Sequence, residues 1–299
     1  MTAQAGEPSL AGLRTVVTGA SSGIGRAIAV AFASEGAGVG IGFNRSADAA
    51  HALADELGGA GHPLLQADLS TAEGCAAIVQ DAFAALEHVD VWVNNAGADV
   101  LTGEARQWPA ERKLTALIDL DLKGTIRCSR LAAARMRPGG CILNIGWDHA
   151  TIDGMAGDNP ELFAAVKAGV LGFSKALARS VAPDIRVNVL CPGWIETAYG
   201  EGVDRAFYEK VAAGTPLRRW GTPRDIAGAA VWLASPAAAF VTGRLAEPAV
   251  RNIVSELEID HQVAVMNISV AALMTTRWIA RRLHHQHRLG SRHDRWDGG

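Results

Sequence analysis

Phenol is scarce in this sequence. Tyrosine occurs only at Tyr199 and Tyr208, and lysine five times against 23 arginines. Tyrosine-based acid–base chemistry therefore has two bearers at most, and the basic charge is mostly permanent guanidinium. Cysteine is limited to Cys75, Cys128, Cys141 and Cys191. None stands in Cys-x-x-Cys spacing or beside a histidine in finger spacing, which excludes a cysteine-built zinc site. Four buried, reduced thiols in a cytoplasmic protein are expected. No apolar run reaches the roughly 18 residues of a membrane span. Met1 to Leu10 has neither a basic n-region nor an apolar h-region, so no signal peptide is expected. A net charge of −3 creates no field that would gather nucleic acid or a membrane surface. The 33 glycines follow no three-residue period, and 49% hydrophobic with 20% charged residues excludes disorder as the main state.

What is present is alternation. Apolar, β-branched runs at 14–18, 39–43, 62–67, 89–93, 141–145 and 185–190 predict six strands. Helix-period segments at 24–35, 47–57, 71–86, 110–136 and 161–181 separate them. Strands alternating with helices of this length predict a doubly wound parallel α/β sheet of Rossmann type, with ligands at the carboxyl ends of the strands. Segments 200–214 and 223–234 read as further helices. From about Pro248 the character changes: seven Arg, no Lys and five of the nine His. The expected organisation is one domain over 10–248 and an extension over 249–299, part of it helical.

The first turn carries the strongest motif. Thr18-Gly19-Ala20-Ser21-Ser22-Gly23-Ile24-Gly25 joins the first strand to the first helix. Gly19 permits a tight turn, Gly23 lets backbone approach a pyrophosphate, and Gly25 lets helix and sheet pack closely. The helix N-terminus with Ser21, Ser22 and Ile24 then offers N–H groups to phosphate. A merely tight strand–helix turn is the plain alternative. The second strand ends in Asn44-Arg45-Ser46. No acid is there to bind a ribose diol, whereas Arg45 and Ser46 suit a 2′-phosphate. NADP(H) is expected over NAD(H), unless Arg45 is only a solvated loop charge.

With these motifs the sequence resembles the short-chain dehydrogenase/reductase family from about Leu13 to Leu245, most closely the ketoacyl-carrier-protein reductase type. Further motifs carry the resemblance. Asp68-Leu69 follows the third strand, where the family's acid lies beside the adenine. Asn94-Asn95-Ala96-Gly97 follows the fourth strand, and in the family supports the sheet and borders the adenosine ribose. Pro192-Gly193-Trp194-Ile195-Glu196-Thr197 resembles the loop that holds the nicotinamide amide, and Phe240-Val241-Thr242-Gly243 the approach to the last strand. The resemblance implies a small-molecule substrate and a homodimer or homotetramer.

It also implies four catalytic side chains, of which one is kept. The family's Tyr-x-x-x-Lys reads Phe163-Ala164-Ala165-Val166-Lys167, and a phenyl ring has no ionisable proton. The family's Ser position reads Trp147, within Asn144-Ile145-Gly146-Trp147-Asp148. The family's Asn on the long helix reads Asp121, able to bind a water but, ionised, not to donate. Lys167 remains, and holding a nicotinamide ribose explains its presence. Substitutes for the missing acid are Asp148 and His149, directly after the replaced Ser, and Tyr199 beyond the nicotinamide loop. His149 as an ordinary loop histidine and Tyr199 as a packing lid residue are the alternatives. Asp153, Asp158 and Glu161 are further carboxylates, read mainly as surface or capping groups.

Two features lie outside this pattern. The family's Gly-Gly ending is absent after Leu245, where Glu247-Pro248 stands instead, which puts the last strand in question. The tail carries Val263, Met266, Val270, Leu273 and Met274 at helical spacing, and His284-His285-Gln286-His287, read as solvated rather than as a metal site. Three functions fit: an atypical NADP-dependent carbonyl or imine reductase, a cofactor-binding scaffold without catalysis, and a dehydratase or isomerase using the Asp148/His149 loop.

Overall fold

The computed structural model describes residues 9–59, 61–151 and 160–247. Seven parallel strands form one sheet in the order β3-β2-β1-β4-β5-β6-β7. They are β1 Arg14–Val17, β2 Gly38–Phe43, β3 Leu64–Gln66, β4 Val91–Asn94, β5 Gly140–Ile145, β6 Ile185–Leu190 and β7 Leu245–Ala246. The helices are α1 Gly23–Ser34, α2 Ala47–Glu56, α3 Ala72–Leu86, α4 Ala110–Leu117, α5 Thr125–Ala133, α6 Pro160–Val181, α7 Ala198–Glu201, α8 Arg205–Gly214 and α9 Pro223–Ala234. The expected doubly wound fold is thus present. Strand order reverses between β1 and β4, which opens the ligand crevice of such sheets.

Both faces are covered, which is why the strands read as continuous apolar runs. On one face Val91, Val93 and Leu143 pack with Ile28 and Phe32 of α1 and Ile226 and Leu233 of α9. On the other Trp92, Ile142 and Val187 pack with Ile78 and Phe83 of α3 and Leu177 of α6. Helix starts follow capping chemistry. The Thr71 hydroxyl accepts from Gly74 N–H. Thr222 and Asp225 form a reciprocal capping box ahead of α9, with Pro223 in the first turn.

Three expectations change. The helix expected over 110–136 ends at Ala133 and is interrupted by a π-helical segment, Ile118–Gly124, between α4 and α5. Hydrophobic periodicity could not reveal that one-residue widening. The helix expected over 200–214 is split into α7 and α8, because Asp204 caps a new start by accepting from Phe207 N–H. The last strand exists without a Gly-Gly ending. Val189 pairs with Leu245 and Leu190 with Ala246, and Cys191 N–H adds a bond to the Ala246 carbonyl at 2.8 Å. Backbone pairing needs no particular side chain there. Among the described residues no helix is long and apolar enough to cross a membrane, and the four thiols are buried and unpaired.

Candidate functional site

The glycine turn sits at the carboxyl end of β1. Gly19 has φ +64°, and a β-carbon there would lie 2.9 Å from Ala96 Cα. A β-carbon at Gly25 would overlap the Gly19 carbonyl and the Asn95 side chain. Both positions therefore admit only glycine without rearrangement. Asn95 braces the turn, donating from Nδ2 to the carbonyls of Thr18 and Gly19 at 3.0 and 3.1 Å. Ser22 caps α1 with extended backbone and no side-chain bond, and the first turn holds no acidic residue. Its leading N–H groups and positive dipole end are thus suited to an anion. Gly23 is exposed, with the Thr197 methyl the nearest group to a β-carbon placed there, at 3.8 Å. The loop Pro192, Gly193, Ile195, Thr197 thereby reaches across to the turn.

The remaining cofactor-side candidates line the same edge. Asn44, Arg45 and Ser46 are exposed at the end of β2. Asp68 is exposed after β3, beside buried Leu69. Its carboxylate accepts from the Ser70 hydroxyl and N–H, bonds that hold it below the usual range, with Arg45 adding a smaller pull. Asn94 is a support. It accepts from Trp92 Nε1 and donates to Ser129 Oγ and Asn144 Oδ1, each at 2.8 Å, tying β4, β5 and α5 together.

The other half of the edge is built differently. Lys167 on α6 is 6% exposed and Asp121 1%, and they form an ion pair at 2.9 Å. Lys167 Nζ also donates to the Ile145 carbonyl at 3.2 Å. Asp121 Oδ1 accepts from Ala98 N–H at 2.7 Å, and a β-carbon at Gly97 would lie 3.1 Å from Asp121 Oδ2. Asp121 thus binds its neighbours directly, through both carboxylate oxygens. Trp147, just past β5, meets the Phe163 ring edge-on at 5.1 Å. Lys167 Nζ lies 5.3 Å from the centre of the Phe163 ring.

From Trp147 a line of rings runs across the ends of β5 and β6. His149 is 4.7 Å from Trp147, Trp194 is 5.9 Å from His149, and Trp220 is 5.1 Å from Trp194. Tyr208 stacks on Trp220 at 5.0 Å and 8°. Asp148 and His149 are 1% and 3% exposed, so His149 is a layer of this wall and not a loop residue in solvent. The backbone N–H of His149 donates to Asp148 Oδ1 at 2.7 Å, and the ring Nε2 is 3.9 Å from that oxygen. Tyr208 donates its hydroxyl to Glu196 at 2.6 Å, which raises its pKa above the phenol range. Burial, aided by Glu247 and Asp148, pushes the Cys191 thiol up to about 12.

The structure places Lys167, Asp121, Trp147, Phe163, Asp148 and His149 next to one another. Glu161 begins α6 and is exposed. Asp153 and Asp158 lie outside the described residues, as do the tail positions Val263 to Met274 and His284 to His287, and the Tyr199 side chain. Among the described residues no cluster could hold a metal. The wall from Trp194 to Tyr208 escaped sequence reasoning. Its partners are separated in sequence, and Trp194 was visible only as part of a loop motif.

Fold and site together define a dinucleotide-binding α/β domain with its ligand edge at the carboxyl ends of the strands. A family model described as enoyl-(acyl carrier protein) reductase matches residues 19–246. A 3-oxoacyl-[acyl-carrier-protein] reductase from Synechocystis is 33% identical over 77% of this chain and 92% of its own length. Nodulation protein G from a Rhizobium species is 37% identical over 79% and 94%. Among solved structures, a short-chain dehydrogenase from Burkholderia cenocepacia in complex with NADP superposes with a TM-score of 0.72 at 29% identity, covering 80% of this chain and 97% of that one. A blue fluorescent protein from a metagenomic library, in complex with NADPH, gives 0.72 at 33% over 80% and 97%. The chain belongs to the short-chain dehydrogenase/reductase family of oxidoreductases and is similar to its ketoacyl-carrier-protein reductases. A second model, of a family of unknown function, matches residues 237–291.

Proposed function

We propose that the chain is an NADP(H)-dependent reductase that works without the phenol and hydroxyl of its relatives. The domain that does so ends near residue 248, and 249–299 is an extension. The observation that carries this reading is the contrast within one edge: an intact glycine turn beside a catalytic position occupied by Phe163 against Trp147. Gly19, Gly25 and Asn95 shape the phosphate turn, and the N-terminus of α1 with Ser21, Ser22, Gly23 and Ile24 receives the pyrophosphate. Asp68, Leu69, Ala96 and Gly97 border the adenosine. Asn44, Arg45 and Ser46 take the 2′-phosphate. Lys167, oriented by Asp121, holds the nicotinamide ribose, and Pro192, Gly193, Ile195 and Thr197 hold the amide.

When bound, the reduced nicotinamide supplies hydride. Phe163 and Trp147 keep water from that face but neither carries a proton to give. Calorimetry with NADPH, NADP+, NADH and NAD+ tests the binding half: tight heat with the phosphorylated pair is expected, and silence with all four would refute it. The double change Phe163→Tyr with Trp147→Ser tests the other half, since it should create ketone reduction if only those groups are missing. A catalytically inert scaffold is the second reading, favoured by the same Trp147–Phe163 contact if no acceptor is reduced. A dehydratase using Asp148 and His149 has less support, because both are sealed inside the wall.

A further inference from the structure

Two of the three positions where this chain departs from its family's proton-transfer set favour a cation. Trp147 puts a ring, whose faces carry negative potential, where the family has a small hydroxyl side chain, while Phe163 keeps the ring of the family's Tyr and loses only its hydroxyl. Both residues are half-buried, as is Trp194 further along the wall, so part of each side chain is exposed. Asp121 replaces a neutral amide by a carboxylate, 2.9 Å from Lys167. The buried ammonium that would otherwise repel a cation is thereby neutralised. Two further carboxylates, Asp148 and Glu247, stand at the same end of the sheet, where the Thr151 hydroxyl bonds both the Asp148 carbonyl and the Glu247 carboxylate.

The chemistry points the same way. Hydride added to a carbonyl carbon leaves an alkoxide that must collect a proton. Hydride added to the carbon of a positively charged C=N group does not. The new C–H bond takes the hydride pair, the C=N π pair becomes the nitrogen lone pair, and a neutral amine leaves. Reduced nicotinamide dinucleotide is oxidised by the same two electrons, and no proton enters the balance. A site without an acid is adequate for that reaction and inadequate for the ketone.

We infer that the ring surface of Trp147, beside a Phe163 ring that already faces Lys167 and backed by the Asp121–Lys167 pair, forms a cation-binding subsite whose substrates are iminium ions. This deepens the reading of the chain as an NADPH-dependent reductase and rests on it. Ring faces bind a desolvated organic cation better than its neutral isostere, and quaternary ammonium recognition by aromatic residues follows the same physics.

The test begins with binding, using the full chain loaded with NADP+. Benzyltrimethylammonium cannot accept hydride, and neopentylbenzene is its uncharged counterpart. Calorimetry should show the cation bound at least about ten-fold more tightly. Trp147→Leu should remove that preference, whereas Trp147→Phe, which keeps a ring and the packing, should retain most of it. Asp121→Asn should weaken the cation by several-fold and leave the hydrocarbon unchanged. Turnover follows: N-methyl-dihydroisoquinolinium should oxidise NADPH at a rate independent of pH between about 6 and about 9, with tetralone at least about a hundred-fold slower. Equal binding of cation and hydrocarbon, or equal turnover of iminium and ketone, overturns the inference while leaving coenzyme binding intact. Absence of coenzyme binding would instead overturn the parent reading, and this one with it.

Discussion

The two halves of the ligand edge are made of different materials. At the ends of β1 to β4 the side chains are small or polar, and the glycine turn leaves backbone open to approach. At the ends of β5 and β6 the edge is a line of rings, from Phe163 and Trp147 to Trp220 and Tyr208. The first half is held to glycine by close approach, because a β-carbon at Gly19 would meet Ala96. The second is free of that constraint, since rings of several sizes can fill a half-buried space. The two halves of one sheet edge can therefore change independently.

The largest effect expected from breaking this contrast is on the glycine side. Gly19→Val adds bulk at a positive φ and against Ala96, and should weaken NADPH by at least about a hundred-fold in calorimetry. An effect of comparable size is expected at the ion pair between the halves. Lys167→Met leaves the Asp121 carboxylate buried and unpaired, and should cost about 3–5 kcal/mol in urea unfolding. Adding Asp121→Leu to that variant should recover most of the loss, because the uncompensated charge is removed. A coenzyme-side change of smaller size is Arg45→Asp, expected to shift preference from NADPH toward NADH by about ten-fold or more.

The smallest effects lie away from the edge and calibrate the comparison. Asp225 is held far below the usual carboxylate range by Arg219, then by Thr222 N–H. Its folded value is lower than its unfolded one, so its contribution is present above about pH 4 and is lost as pH falls below that. Asp225→Asn should cost about 1 kcal/mol at neutral pH, since the cap and an exposed pair both weaken, and should flatten the acid limb of the stability curve. The thiols supply a control. Burial raises Cys141 to about 11 and Cys191 to about 12. A thiol reagent at neutral pH should therefore label them only after unfolding.

Most of the fold was legible from local pattern. Strands such as Ile185–Leu190 and helices such as Pro223–Ala234 stand where apolar runs and caps put them. The interruption at Ile118–Gly124 was not legible, because the apolar periodicity continues through it. Nor was β7, whose two residues pair through backbone alone. At the site, the glycine turn and the substituted Phe163, Trp147 and Asp121 were visible as letters in motifs. Their mutual arrangement was not. That Asp121 pairs with Lys167, and that His149, a candidate acid in the sequence, is buried as a layer of a wall, came only from the fold.

The sequence by itself determined the order of strands and helices, the glycine turn and the absence of a phenol at residue 163, because these depend on neighbours in the chain. Only the tertiary structure decided what fills the place of the phenol. Trp147 and Phe163 lie between β5 and β6, Trp194 and Trp220 between β6 and β7, and only the folded sheet brings them into one line of rings. The charge of the site was decided the same way, since Asp121 and Lys167 are far apart in sequence and cancel only once α6 lies against the segment between α4 and α5.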